Sequence, residues 1–287
     1  MKVALVGYTG YIAEFILERF IHKFGEKSVL KIGRNGNADE YLDLKKCESF
    51  DYTVLDNVDY VIFSAAISGP DKCAEDFENC WNVNVKGTGY FIDKALQHGC
   101  RVIFFSSDAV FGEDSVNAYT EESPTRASTP YGKMKKAIED KFKDNPDFKV
   151  VRLSYVASIK DRFTAYCLNC AAKGENAEIF HPFYRNAIVI SDVVDVIIYL
   201  VTNWDDYEAT FLNVAGEELV SRIRIVDELN RHLDGKLKYI VTMPKEDFFK
   251  NRPRITQMKS LYLYECGIIS SGSFTEKMSK ELEDLKL

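Results

Sequence analysis

The sequence predicts an α/β protein, a doubly wound parallel sheet with a smaller C-terminal lobe. Three observations predict it. Short apolar strands alternate with amphipathic helical stretches from Lys2 to Val156. The first strand ends in a glycine-rich turn that opens a helix. A strand–helix–strand segment then returns at Ile188–Gly216 after an interval of different texture. Right-handed crossovers between parallel strands close such units into a doubly wound sheet.

Taken in order, Lys2–Gly7 is a buried-strand run, and Tyr11–Phe24 carries Ile12, Phe15, Ile16 and Phe20 at helical spacing. Val29–Ile32 reads as the second strand and Tyr60–Ala66 as the third. One long helix is expected over Cys73–His98. Arg101–Ser106, Val150–Val156 and Phe211–Val214 supply further strands. Ala157–Asn186 and Ser221–Leu287 have shorter apolar runs, more aromatics and the loop-like Phe180–Arg185. The expected division is therefore 1–156 plus 188–216 as a dinucleotide-binding domain, with 157–187 plus 217–287 as a substrate-binding lobe.

Composition excludes several classes. The 287 residues are 46% hydrophobic and 28% charged, which rules out wholesale disorder. A net charge of −7 with no basic stripe argues against a nucleic-acid partner. The opening apolar run Val3–Val6 stops at Gly7, too short for an export signal, and Val196–Val201 is too short to span a membrane. Seven scattered cysteines, Cys47, Cys73, Cys80, Cys100, Cys167, Cys170 and Cys266, read as reduced thiols, so a cytoplasmic protein is expected.

Gly7-Tyr8-Thr9-Gly10-Tyr11-Ile12-Ala13 reads G-x-x-G-x-x-A between a strand and a helix. Gly7 and Gly10 let the backbone approach a pyrophosphate, and the helix start offers N–H groups and positive dipole charge. Gly7, Thr9, Gly10, Tyr11 and Ile12 are thus candidate cofactor contacts. At the end of the second strand an acidic residue would bond the ribose of NAD, but Gly33-Arg34-Asn35 stands there. A guanidinium pairs with a 2′-phosphate, so NADPH is expected rather than NADH.

Tyr-x-x-x-Lys occurs three times, at Tyr41/Lys45, Tyr90/Lys94 and Tyr131/Lys135, so spacing alone decides nothing. Only Tyr131 has the context, starting a helix after Pro130 downstream of a buried strand that ends in Ser106-Ser107. On a helix Lys135 shares the face of Tyr131, and a nearby cation lowers a phenol's pKa. Tyr131 is then the acid or base at a carbonyl oxygen, with Ser107 hydrogen-bonding the same oxygen.

With these residues assembled, the chain resembles the extended short-chain dehydrogenase/reductase family, whose cofactor domain is of the Rossmann type. Within it the likeness is greatest to dTDP-4-dehydrorhamnose reductases and related sugar-nucleotide reductases. Asp43-Leu44 is similar to the family's adenine-contacting pair, and Ser64-Ala65-Ala66-Ile67-Ser68-Gly69-Pro70-Asp71-Lys72 to the stretch after its third strand. Asn84-Val85-Lys86-Gly87-Thr88 resembles its helix asparagine motif, and Ser106–Phe111 with Glu122, Pro124 and Pro130–Gly132 its active-site strand and loop. Val151–Val156 and Asn213–Glu217 resemble later signatures. The resemblance implies that Asn84 joins the catalytic set and organises a water, that Asp43, Leu44, Ser64, Ala65 and Ala66 contact the cofactor, and that Ser68, Asp108, Tyr155 and Arg185 face the substrate. Two positions depart from the subgroup, Ala109 where Tyr is usual and Tyr155 where Trp is usual. Asp108-Ala109 also lacks the acidic pair of family dehydratases, which argues against dehydration.

Cys167-Leu168-Asn169-Cys170 lacks further ligands of zinc spacing and reads as helix packing, so no metal is expected. Arg185, Arg252 and Arg254 are candidates for a substrate diphosphate. The expected activity is NADPH-dependent reduction of a nucleotide-linked 4-keto sugar, with a homodimer left open. Two alternatives stand beside it: a sugar-nucleotide 4-epimerase with bound NAD, and a non-catalytic NADP-binding regulatory subunit.

Overall fold

Val3–Val6 (β1) is buried at every position, as a strand covered on both faces must be. Tyr11–Phe24 (α1) follows and buries Ala13, Ile16 and Phe20, its helical stripe. The computed structural model describes residues 1–112, 114–283 and 285, with the side chains of 114–116 excepted. Next come Val29–Gly33 (β2), Glu40–Tyr41 (β3), Tyr60–Phe63 (β4), Pro70–Glu75 (α2), Phe77–Trp81 (α3) and Thr88–Gln97 (α4). Arg101–Ser107 (β5), Asp114–Tyr119 (β6), Pro130–Phe142 (α5), Phe148–Leu153 (β7), Val156–Ala157 (β8) and Arg162–Lys173 (α6) carry the chain to its middle. The remainder is Ala177–Phe180 (β9), Tyr184–Arg185 (β10), Ile188–Val189 (β11), Ile190–Thr202 (α7), Phe211–Val214 (β12) and Val220–Ser221 (β13). It closes with Arg222–His232 (α8), Tyr239–Thr242 (β14), Glu246–Phe249 (α9), Ile255–Met258 (β15) and Phe274–Glu281 (α10).

Seven strands form the central sheet, in the order β12-β7-β5-β4-β1-β2-β3. β1 pairs in parallel with β2 on one side and β4 on the other, with Val6 opposite both Ile32 and Phe63. The strand order reverses between β1 and β4, the place where open α/β sheets form their ligand crevice. Tyr41, expected in a linking segment, lies instead on edge strand β3, where Gly33 pairs with it in parallel.

The expected helix over Cys73–His98 is several segments. α2 stops at Asp76, whose φ of −127° and ψ of 60° leave helical space. Asn82–Gly87 then widens into a π-helical turn before α4. The apolar spacing runs through these breaks, so periodicity alone does not reveal them. Such turns often mark functional sites.

The chain divides into two compact units. The first holds Met1–Gly112, Pro124–Arg152 and Ile197–Leu212; the second holds Glu113–Ser123, Leu153–Val196 and Asn213–Leu287. This partition differs from the expected division, which placed 113–123, 153–156, 188–196 and 213–216 in the first domain. Strand pairing is the reason: β11 pairs with β8, Ile188 opposite Val156, and β15 pairs with β6, Met258 opposite Tyr119. Phe63, Phe91, Phe104 and Phe148 centre the core of the first unit. Cys167 and Cys170 lie in the core of the second, packed with Ile179, Val226, Leu229 and Met278. Among the described residues, no helix is long and apolar enough to cross a membrane.

Candidate active site

Gly7 has a φ of +83°, and a Cβ placed there would lie 2.8 Å from the main chain of Ala65. Glycine is therefore required where β1 turns against the end of β4. The Ser64 hydroxyl reinforces the contact, donating to Val6 O at 2.8 Å. α1 starts at Gly10 with no side-chain cap. Beyond these strand ends opens a cleft of ≈ 600 Å³, lined by Gly7, Thr9, Gly10, Arg34, Asp43, Leu44, Ser64, Ala65 and Ala66. Nine of the residues expected from sequence thus share one cavity wall. Tyr11 and Ile12 occupy the first turn of α1, outside that lining. Asn35, Lys45, Lys72 and Asn79 also line the cleft and were missed. They sit beside residues the motifs did single out, but carry no motif of their own.

Arg34 is exposed and has no carboxylate partner among the described residues. Asp43 spends one oxygen on the Lys45 N–H at 3.0 Å, capping the turn that follows it. Uncapped helix start, glycine-lined close approach and an exposed guanidinium together suit the phosphates of a dinucleotide.

The second cluster sits at the end of β5 and the start of α5. Thr129 caps α5 by accepting from Gly132 N at 3.2 Å, and Pro130 occupies its first turn. A Cβ at Gly132 would fall 2.2 Å from Ala109 O, so glycine lets the helix dock on the 108–110 turn. Ser107 Oγ accepts from Ala109 N at 3.2 Å and donates to Asp108 at 3.0 Å. Tyr131 is half-buried, and its hydroxyl has no hydrogen-bond partner among the described residues. Lys135 is buried and donates to Phe105 O at 2.6 Å. Burial pushes Lys135 down to about 8, against the opposing charge of Glu139.

The expected lowering of the Tyr131 phenol is not what this pocket produces. Burial raises it, with Cys73 and Asp108 adding to the rise. Asn84 is turned inward, toward the main chain of Ile67. Its Oδ1 accepts from Ile67 N at 2.8 Å and its Nδ2 donates to Ile67 O at 2.9 Å. The amide clamps the loop after β4 to the π-helical turn. The decoy pairs differ in setting: Tyr41 is 65% exposed, and Lys94 lies over the Tyr90 ring on the outer part of α4.

In the second unit, Arg185 gives its Nη donors to the main-chain oxygens of Tyr184, Arg254 and Pro253. Tyr155 donates its hydroxyl to Asp161, the cap of α6. Ser68, in the first unit, is exposed and does not line the cleft. Sequence reasoning missed Arg222. Its guanidinium stacks on Phe163 at 4.7 Å and Phe183 at 4.6 Å, and its buried Nε has no partner. Arg252 stacks on Phe248 at 4.4 Å, and burial, with smaller effects from Arg185 and Arg252, depresses the Arg222 pKa. An arginine cluster with an orphaned donor suits an anion. No spacing signal could have found it, because its members come from β10, α8 and the segment after α9.

Comparison with known proteins places the chain. A family profile described as the RmlD substrate binding domain matches residues 1–287. UDP-glucose 4-epimerase 1 of Oryza sativa subsp. japonica is 30% identical over 145 residues, 45% of this chain and 40% of that protein. The chain thus spans less than half the length of the first curated relatives it matches. The structure of dTDP-4-dehydrorhamnose reductase from Bacillus anthracis in complex with NADP superposes with a TM-score of 0.85 at 16% identity, covering 99% of each chain. MoeE5 in complex with UDP-glucose and NAD gives 0.81 at 19% identity, covering 99% of this chain and 98% of that one. On the whole-chain match, the protein belongs to the RmlD substrate binding domain family, of the extended short-chain dehydrogenase/reductase type.

Proposed function

We propose that the protein reduces a nucleotide-activated 4-keto sugar with NADPH. The observation that carries this reading is the Tyr131 hydroxyl, which has no hydrogen-bond partner among the described residues and lies in the first unit within the charge influence of Asp108. A phenol is protonated at neutral pH, the form needed to give a proton to a carbonyl oxygen. NADPH, when bound along the glycine loop, supplies hydride to the adjacent carbon. Ser107 orients the carbonyl oxygen by hydrogen bonding. Lys135 holds the cofactor ribose once that partner replaces Phe105 O. Arg34 selects the 2′-phosphate, and Asn84 keeps the loop at Ile67 in register. Arg222 and Arg252 take the substrate diphosphate, in preference to Arg185, whose donors serve the main chain.

A second reading, 4-epimerisation with bound NAD, has one observation in its favour. The Asp43 carboxylate lines the same cleft as Arg34 and offers an acceptor to ribose hydroxyls. NADPH oxidation against a panel of nucleotide-linked 4-keto sugars separates the two. Stoichiometric NADPH consumption with a keto sugar is the expected result. Copurified NAD, with interconversion of UDP-glucose and UDP-galactose and no net NADPH consumption, would establish the epimerase instead.

A further inference from the structure

Glu139 lies one helical turn beyond Lys135, on the same face of α5. It is 3% exposed, and its Oε1 accepts from Ser106 Oγ at 2.5 Å. Arg152, from β7, clasps the carboxylate with Nε at 3.1 and 3.2 Å and Nη2 at 2.7 Å. The Arg152 guanidinium is itself stacked on Phe111 at 5.0 Å and Phe211 at 4.2 Å. Lys135 meanwhile donates to the oxygen of Phe105, the residue before Ser106. Two side chains one turn apart thus grip two consecutive residues at the end of β5, immediately before Ser107.

A buried ion pair is a poor way to gain stability, because desolvation of both charges offsets their attraction. An apolar pair of similar volume would fill the space between α5, β5 and β7 at least as well. The carboxylate makes physical sense through its neighbour. We propose that Glu139 is a positioning residue for the reaction argued above: it fixes the end of β5 through Ser106 and supplies the negative charge that a buried Lys135 ammonium requires.

The groups facing Lys135 are few. On α5 they are Glu139 and Tyr131, on α2 the Cys73 thiol, and on β5 the Phe104 ring, 4.6 Å from Nζ. Arg152 stands behind Glu139, bonded to it. Among these only Glu139 is an anion at neutral pH, so its removal leaves burial unopposed.

Lysine-selective ¹³C NMR on the cofactor-free protein reads this directly, without turnover. In Glu139→Gln the Lys135 titration should move down by about one pH unit or more. The alkaline limb of kcat should move by the same amount, with kcat at neutral pH down about twofold for a shift of one unit. Glu139→Asp, which keeps the charge, should hold the titration near its natural position. If Glu139→Gln alone does not fold around the stranded Arg152, the double variant Glu139→Gln/Arg152→Met removes both charges and should show a downward shift smaller than that of the single variant. An unmoved Lys135 titration in a folded variant lacking the carboxylate overturns the proposal. This inference rests on the reductase reading only for its kinetic arm. A shifted Lys135 in a protein that reduces no keto sugar sustains the positioning role and overturns the substrate reading alone.

Discussion

Lys135 places its ammonium on the main-chain oxygen of Phe105, 2.6 Å away, while the centre of the Tyr131 ring stands 5.7 Å from it. The ammonium is therefore anchored on the strand end with the Tyr131 ring still within cation–π range. Lys135 is parked on the strand end and Tyr131 keeps its proton.

That arrangement sets a pH dependence. Lys135 is pushed down from 10.5 to about 8, so its charged form declines as pH rises through about 8. Turnover should fall over the same interval, and so should NADPH affinity if Lys135 holds the ribose. Stability runs the other way. The unfolded chain binds a proton that the native site releases, so between about 8 and 10.5 native stability gains with pH, and below about 8 the full cost of burying the cation is present. Lys135→Met should raise Tm near neutral pH, by up to about 3 kcal/mol in stability, while abolishing turnover. Calorimetry at pH 7 that shows Lys135→Met less stable than the natural protein would count against a strained lysine.

Tyr131→Phe removes one oxygen that has no hydrogen-bond partner among the described residues, so folding and NADPH binding should change little. The proton donor is lost, and general acid catalysis typically contributes about 10²–10⁴-fold. Turnover should fall at least about 100-fold, mostly in kcat. Tyr41→Phe and Tyr90→Phe share the spacing but should stay within a few-fold. Steady-state NADPH oxidation on the three variants checks this, and near-natural turnover in Tyr131→Phe would remove the mechanism.

Arg34 stands free at the rim of the glycine-loop cleft. Arg34→Ala should weaken NADPH by about tenfold or more and leave NADH nearly untouched, since only the former carries the 2′-phosphate. Titration of both cofactors by fluorescence decides it; equal losses for the two would dismiss the selectivity assigned to Arg34.

Arg222 keeps an unpaired Nε among Phe163, Phe183 and Phe248. Arg222→Met keeps much of the stacking volume and removes the charge. Nucleoside diphosphate binding should weaken about tenfold or more, with NADPH binding unchanged. Isothermal titration with dTDP and UDP measures it, and unaltered affinity for both would move the diphosphate elsewhere.

What the sequence determined by itself was everything carried by local pattern. β1, the glycine turn and α1 are consecutive, and their strand period, turn chemistry and helical stripe lie within one short stretch. The same is true of Pro130-Tyr131 and the cap at Thr129, which set the start of α5 without outside help. Tertiary structure decided what depends on contacts distant in sequence. Glu139 reads as one more charge on an exposed-looking helix until Ser106 and Arg152 close on it from two strands. Arg222 gains its aromatic bed from segments tens of residues away, and Asn84 is turned inward by the main chain of Ile67. The boundary of the second unit likewise follows from β6 joining β15 and β8 joining β11. Periodicity records which face of an element is buried; it does not record what that face meets.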